Sequence, residues 1–196
     1  KLGVTSENVV APFAGNDGFV LSDGSASVLI EDEKAAKERG ARIYCHASGY
    51  GMAHSSVKFG TLTGSEAGLT NAVNNALADA GMTIDDIDAV FGFANGMKAV
   101  DDVEIKGLTA VFGDKLAEKP VVELKEVLGE SRAAAATTAA AHAALMFAGK
   151  IPSQEAYSIA ADGSVSKTNV EASKLNNVLV VAYGAGGSYT AIVLSK

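Results

Sequence analysis

The 196-residue sequence contains no tryptophan, only three prolines and a single cysteine, Cys45. One cysteine cannot form a disulfide within the chain, and no CxxC pair or His/Cys spacing typical of a zinc site occurs. No apolar run approaches the roughly 20 residues of a membrane-spanning helix. We therefore expect neither a metal, nor an internal disulfide, nor a membrane span.

Positive charge is also scarce, because 16 Lys and Arg residues face 23 Asp and Glu residues, which gives a net charge of −7. No Lys/Arg cluster offers a binding surface for phosphates, so nucleic acids and anionic membranes are poor candidate partners. The first residues lack the charged-then-apolar pattern of a signal peptide. We expect a cytoplasmic protein, and the start at Lys1 rather than at a methionine suggests trimming from a longer chain.

Apolar residues make up 48% of the sequence, and helix-like and strand-like stretches alternate, which favours the α/β class. In the first half, the pattern predicts a hairpin or paired strands within 18–33. A short charged helix should follow over 31–40, closed by Gly40, and then a strand over 41–51 that ends in Gly49 and Gly51. The next predicted helix covers 65–80 and ends at Gly81.

The second half is predicted to contain strands at 88–94 and 120–123 and a helix at 101–112. The segment 131–148 reads as a helix with ten alanines and almost no charge, so it should be covered on more than one side. The chain should close with two antiparallel strands joined by a glycine-rich turn at 184–187.

Three segments together carry a family resemblance: DGFVLSDGSASVLIEDEKAAKERGARIYCHASGYG, ALADAGMTIDDIDAVFGFANG and VVAYGAGGSYTAIVL. They resemble the β-ketoacyl synthase family of the thiolase-like superfamily, across essentially the whole chain. The resemblance implies an α/β, thiolase-like αβαβα layered fold, of which this chain forms the C-terminal half, with a mixed sheet and a buried central helix. Residues 1–55 would then be the closing strands of the N-terminal repeat, and 56–196 the C-terminal repeat.

The resemblance also implies a catalytic apparatus that this chain lacks. The family's nucleophilic cysteine lies at a nucleophile elbow, which the resemblance places before Lys1, whereas Cys45 reads as a small core residue. Asn95 occupies the position of one family histidine and Glu130 that of the other. An amide cannot exchange a proton near neutral pH, and a carboxylate would repel a malonyl group. We therefore expect no catalytic residue in this chain.

Other residues match family positions without a certain role. Lys125 matches the family lysine, and Asp101 and Glu104 match its acidic pair. Lys125 could be a solvated or salt-bridged residue, or could contact an acyl chain or a partner loop. The candidates for substrate or tunnel contact are Lys125, Tyr183, Gly184, Gly186 and Gly187.

The glycine residues among these candidates belong to a loop whose backbone N–H helps to form an oxyanion hole in the family, although the loop could equally be only a tight strand connection. The three histidines have no visible nucleophile partner: His142 is expected to pack in a helix, and His46 and His54 to have surface or structural roles.

A ketosynthase-like chain without this chemistry resembles the chain-length factor, or β subunit, of a type II polyketide synthase. The resemblance implies a non-catalytic subunit that pairs with a catalytic ketosynthase and shapes the polyketide tunnel. It implies no cofactor, because acyl groups would arrive on the phosphopantetheine of a carrier protein bound to the partner. The expected partners are that ketosynthase, an N-terminal half-fragment of the same subunit and, transiently, the acyl carrier protein.

Two other functions remain open at this point. A repurposed ketosynthase-fold enzyme could use Lys125, Glu130 or Asn95 for cyclisation, dehydration or acyl transfer on a carrier-bound polyketide. The chain could also be half of an ordinary condensing enzyme, which the two replaced histidines disfavour.

Overall fold

The computed structural model describes residues 11–57 and 64–196, which form a seven-stranded mixed sheet with helices on both faces. In chain order the strands are β1 (His46–His54), β2 (Ala89–Phe91), β3 (Val121–Val122), β4 (Ser153–Ile159), β5 (Val165–Glu171), β6 (Asn177–Gly184) and β7 (Ser188–Ser195). The helices are α1 (Glu33–Glu38), α2 (Glu66–Ala80), α3 (Lys98–Phe112), α4 (Lys125–Leu128) and α5 (Ala135–Phe147). In the described part of the chain, none of them is long and apolar enough to cross a membrane.

The sheet has the order β1-β7-β6-β2-β3-β4-β5. Its centre is parallel, because β2 pairs in parallel with both β6 and β3, and all the outer pairs are antiparallel. This confirms the α/β class with a mixed sheet, and it confirms the closing antiparallel pair. The hairpin formed by β4 and β5 was not predicted from the sequence.

Two apolar cores lie on opposite faces of the sheet. On one face, α2 and α3 bury residues such as Leu69, Val73 and Leu108 against the sheet. On the other face, α5 packs Ala139, Ala143 and neighbouring side chains against the same strands. The described residues thus form three layers: helices, sheet and helix.

The strand predicted over 41–51 is displaced, since β1 begins at His46 and continues to His54. Gly49 and Gly51 lie inside the strand and do not end it. A Cβ atom on Gly51 would lie 2.0 Å from the backbone oxygen of Ala72 in α2, and one on Gly49 would lie 2.3 Å from that of Ala76. The two glycines therefore allow the backbone of α2 to lie directly on β1.

The predicted hairpin within residues 18–33 is wrong. Residues 20–30 form no strand. Leu21 forms an isolated bridge with Glu130, through backbone hydrogen bonds that join Val20 and Ser22 to Glu130. Leu29 and Ile30 are 77% and 76% exposed. The β-branched run has the composition of a strand, but no described strand lies beside it to accept its hydrogen bonds.

The helices agree more closely with the prediction. Gly40, two residues after α1, and Gly81, directly after α2, both adopt left-handed backbone angles, as expected of residues that end helices. Helix α3 begins at Lys98, three residues before the predicted start, so that Asp101 lies in its first turn. The Ala-rich segment forms a 3-10 turn at 132–134 before α5, and the described residues bury one face of α5 fully.

The strand β1 pairs along its length with β7, so residues 46–54 belong to the same sheet as the rest of the chain. The division into two repeats at residue 55 stays a prediction. It concerns how this sheet would lie against a second repeat.

Candidate functional site

The candidate site lies where the parallel strands β2 and β3 end side by side. Val90 pairs with Val121 and Phe91 with Val122, so the loop after β2 and the turn after β3 leave the sheet at the same edge. The carboxyl ends of parallel strands are where ligand sites form in α/β folds. This topology brings together two segments that are about 30 residues apart in the sequence.

The two residues at the family histidine positions contact each other. Asn95 Nδ2 donates a hydrogen bond to Glu130 Oε2 over 3.1 Å, and both residues are buried. Asn95 Oδ1 accepts a hydrogen bond from the backbone N–H of Met97 over 3.1 Å. Both the nitrogen and the oxygen of the Asn95 side-chain amide are thus hydrogen-bonded within the protein.

Lys125 completes a buried polar network with these residues. Its Nζ donates to Glu130 Oε2 over 2.7 Å and to the backbone oxygen of Phe93 over 2.8 Å. The side chains of Lys125 and Glu130 are only 14% and 11% exposed. The positive charge of Lys125 is therefore balanced within the protein.

The environment of Glu130 keeps its carboxylate ionised. Burial alone would raise the pKa of Glu130, but the charge and hydrogen bond of Lys125, with hydrogen bonds from Asn95 and the backbone of Arg132, hold that pKa below its ordinary value. The N–H of Arg132 donates to Glu130 Oε1 over 2.7 Å. Both carboxylate oxygens of Glu130 thus have partners.

Arg132 adopts an uncommon backbone conformation beside this network. Its φ of 54° is left-handed, which costs a non-glycine residue free energy and is often found where a site is under constraint. The Arg132 N–H donates to Glu130, and the guanidinium carbon lies 5.8 Å from the ring centre of Phe19. The start of the Ala-rich helix is thus tied to the site.

Two acidic residues of α3 accept hydrogen bonds from backbone N–H groups of the loop after β2. Asp101 Oδ1 accepts hydrogen bonds from the backbone N–H groups of Asn95 and Gly96, and Asp101 Oδ2 accepts one from Phe13. Glu104 Oε2 accepts from the Phe93 N–H over 2.6 Å. Burial raises the pKa of Asp101 to about 6, against the effect of these hydrogen bonds. The acidic pair thus fixes the backbone of the site loop.

The unpredicted β4–β5 hairpin fixes the short helix that carries Lys125. Tyr157 donates its hydroxyl proton to Glu126 Oε2 over 2.8 Å, and Lys167 Nζ donates to the same oxygen over 2.5 Å. Burial raises the pKa of Tyr157 to about 12. Glu126 and Lys125 are adjacent in α4, so the hairpin helps to set the position of the site lysine.

A cavity of about 440 Å³ adjoins this network. Its lining includes Phe19, Phe93, Asn95, Lys125, Glu130, Ala135, Ala136, Ala139, Tyr183 and Gly184. Most of the wall is apolar, and small side chains of α5 form part of it. The cavity therefore combines an apolar wall with one buried, internally paired polar cluster.

The glycine-rich turn between β6 and β7 is only partly in the cavity wall. Tyr183 and Gly184 line it, while Gly186 and Gly187 form the left-handed part of the turn, with φ of 102° and 89°. The backbone oxygen of Gly187 accepts a hydrogen bond from the Ser55 N–H over 2.8 Å. This geometry is that of a tight strand connection, and the substrate role of these glycines stays a prediction.

The other candidate catalytic groups do not line the cavity. His46 and His54 lie in β1, and His142 lies in α5, where its ring packs 6.0 Å from that of Phe91 and burial lowers its pKa. Cys45 is half-buried against the α5 core, and burial raises the pKa of its thiol, which disfavours the nucleophilic thiolate.

Sequence reasoning missed Glu123, which is 4% exposed and directly follows β3. The available signal was a charged residue between the apolar strand and the site turn. In the described ranges 11–57 and 64–196, no three His, Cys, Asp or Glu side chains are arranged to hold a metal ion.

The mixed sheet with helices on both faces is a fold shared with solved thiolase-like ketosynthases. A solved structure described as the ishigamide ketosynthase/chain length factor matches with a TM-score of 0.83 and 25% sequence identity, covering 99% of this chain and 48% of that one. Residues 44–158 match the family model for the β-ketoacyl synthase C-terminal domain. The chain therefore belongs to the β-ketoacyl synthase family.

Curated relatives agree with this assignment. The chain is 31% identical over 181 residues to a putative polyketide β-ketoacyl synthase 2 of Streptomyces coelicolor, covering 91% of this chain and 42% of the relative. It is 31% identical over 121 residues to 3-oxoacyl-[acyl-carrier-protein] synthase 2 of Coxiella burnetii, covering 62% of this chain and 29% of the relative. The chain thus spans less than half the length of these relatives.

Proposed function

We propose that this chain is a non-catalytic, ketosynthase-like subunit, the chain-length factor of a type II polyketide synthase. The observation that carries this proposal is the closed network of Asn95, Lys125 and Glu130. Each polar group at the two family histidine positions is already bonded to another group of the protein. A site of this kind is built for structure and shape, since no free acid or base faces the cavity from these positions.

The first missing function is proton transfer. A general acid or base must gain and lose a proton near neutral pH. The amide of Asn95 does neither, and its donor and acceptor atoms are both engaged. Asn95 is therefore suited to hold Glu130 and the site loop.

The second missing function is stabilisation of negative charge. Decarboxylation of a malonyl unit brings a carboxylate and then a developing enolate into the site. Glu130 is an ionised carboxylate, and it would raise the energy of both species. Lys125 would favour them, but its charge is balanced by Glu130 over 2.7 Å. The net electrostatics of the cluster therefore oppose this chemistry.

The cavity supports a role in shaping a tunnel. Its walls combine Phe19, Phe93 and Tyr183 with the alanines of α5. In the proposed assembly, condensation occurs in a catalytic ketosynthase partner, and side chains of this chain limit the space open to the growing acyl chain. A solved structural neighbour that pairs a ketosynthase with a chain-length factor supports this arrangement.

The same proposal includes an N-terminal half-fragment of the subunit. Its support is the exposed apolar segment around Leu29 and Ile30, together with coverage of less than half of the relatives. An apolar strand-like segment of this kind is normally covered. The acyl carrier protein would bind transiently, chiefly through the ketosynthase partner, and deliver acyl groups on phosphopantetheine.

Native mass spectrometry of the purified protein, with peptide identification of every component, tests the pairing. We expect this chain in a complex with a ketosynthase that contains an active-site cysteine. A lone chain or homodimer that turns over carrier-bound acyl substrates would contradict the proposal. That result would favour the repurposed enzyme that acts in cyclisation or acyl transfer.

A further inference from the structure

Two buried carboxyl groups beneath the site face each other without the partners that ionised carboxylates require. Glu104 is fully buried and Glu123 is 4% exposed. Glu104 Oε1 and both side-chain oxygens of Glu123 have no hydrogen-bond donor within the described residues. Buried polar atoms are normally bonded, so three unbonded oxygens in one place need a physical explanation.

Gly92 shows how closely the two groups approach. A Cβ atom on this glycine would lie 1.9 Å from Glu123 Oε1 and 2.3 Å from Glu104 Oε1. Both oxygens therefore converge on the space that a side chain at position 92 would fill. The glycine at the end of β2 makes room for the pair.

The surrounding charges disfavour two ionised carboxylates. Glu123 is faced by Glu104 and Asp101 from α3 and by Lys125 from α4, and Lys125 is itself balanced by Glu130. The strand β2 contributes no titratable side chain. Burial and the charge of Glu104 raise the pKa of Glu123 well above its ordinary value.

We propose that Glu104 and Glu123 form a proton-binding pair, in which one carboxyl group is protonated and donates a hydrogen bond to the other. The added proton supplies the donor that the facing oxygens lack. It also removes one of two negative charges from a buried site. Carboxyl pairs that share a proton occur where two such groups cannot both ionise.

The pair is connected to the candidate site by hydrogen bonds. The other oxygen of Glu104 accepts from the Phe93 N–H, and the Phe93 carbonyl oxygen accepts from Lys125. Glu123 precedes Lys125 by two residues. Glu104 and Glu123 are therefore positioning residues, and their shared proton keeps the end of β2 and the turn after β3 in register.

The proposal fixes the sign of a pH dependence. Above about pH 4.3, an unfolded glutamic acid has lost its proton, whereas the folded pair retains one. The folded state then binds more protons, so its stability falls as pH rises, until the pKa of the folded pair is passed. Glu123→Gln should remove this pH dependence of stability, because the amide of glutamine donates the hydrogen bond without a titratable proton.

The test compares the wild-type protein with Glu123→Gln and the exposed control Glu118→Gln, in the purified protein with all its components. We expect the melting temperature of Glu123→Gln relative to wild type to rise by roughly 2–4 °C or more between pH 5 and pH 8. Glu118→Gln should show no such trend. Infrared spectra at pH 8, where Asp101 with its pKa of about 6 is ionised, should contain a protonated-carboxyl band that Glu123→Gln removes.

Absence of that infrared band at pH 8 would overturn the proposal. So would a melting temperature of Glu123→Gln that lies below wild type by the same amount at every pH, because that is the behaviour of a lost structural contact. Should Glu123→Gln not fold, Glu104→Gln gives the same test, since its side-chain carbonyl can still accept from the Phe93 N–H.

Discussion

Removal of the Lys125 amino group should destabilise the protein more than removal of a surface lysine. Lys125→Met keeps the apolar stem, but it leaves Glu130 as an uncompensated buried charge and deprives the Phe93 carbonyl oxygen of its donor. The side chains of the Lys125–Glu130 pair are 14% and 11% exposed. Breaking a buried ion pair from one side costs about 3–5 kcal/mol.

Lys98→Met is the matched control. Lys98 and Asp102 form an ion pair of 2.6 Å, but their side chains are 62% and 39% exposed, and exposed pairs contribute about 0.2–1 kcal/mol. Thermal and urea unfolding at pH 7, followed by circular dichroism, measure the difference. Lys125→Met should lower the melting temperature by roughly 6–20 °C, and Lys98→Met by only a few degrees.

The double variant Lys125→Met/Glu130→Gln separates charge from packing. Because it removes the unpaired charge, it should recover part of the stability that Lys125→Met loses. If Lys125→Met and Lys98→Met are equally stable, the pair is solvated in the protein. Glu130 would then not hold a fixed, buried negative charge at the family histidine position.

Three further outcomes follow from the structure. Gly51→Ala should lower the unfolding free energy by about 3 kcal/mol or more, because the added Cβ would lie 2.0 Å from a backbone oxygen of α2. In the control Gly184→Ala, the added Cβ would lie 3.5 Å from its nearest neighbour, so the loss should be about 1 kcal/mol or less. Asp101→Ala should cost about 1–3 kcal/mol, because three backbone N–H groups lose their acceptor, whereas Asp102→Ala should change stability little. The pKa of Asp101 is raised to about 6, so wild type should lose stability as pH rises toward 6. Asp101→Ala lacks this carboxyl group, so the stability difference between the variant and wild type should become smaller as pH rises toward 6. The lowered pKa of Glu130 has the opposite effect on stability, so wild type should lose stability as pH falls below about 4. The unfolding free energy of Glu130→Gln should depend less on pH in that range.

The elements with clear local signals could be predicted from the sequence. Apolar spacing and a terminal glycine located α2 to within a residue, and the glycine-rich turn located the β6–β7 pair. The hairpin prediction for 18–33 was wrong because a strand needs a neighbouring strand, and the composition of a segment does not show whether one is present. The glycines of β1 were misread as its end because their role depends on how closely α2 approaches.

Only part of the candidate site could be predicted from the sequence, because contacts between distant segments leave no local signal. The resemblance indicated Asn95, Lys125 and Glu130 one by one, but not that a single oxygen of Glu130 accepts from both other side chains. That contact depends on the parallel pairing of β2 and β3. The burial of Glu123 against Glu104 had no local signal beyond a charged residue beside an apolar strand.

The central claim is that this chain contributes no catalytic group. Turnover of malonyl- and acetyl-carrier protein by the purified protein tests it most directly, measured as decarboxylation and condensation with and without a ketosynthase partner that contains the nucleophilic cysteine. Activity should require the partner and its cysteine, and Cys45→Ser, which removes the one cysteine of this chain, should leave it unchanged. Turnover without the partner, or its loss in Cys45→Ser, would contradict the account.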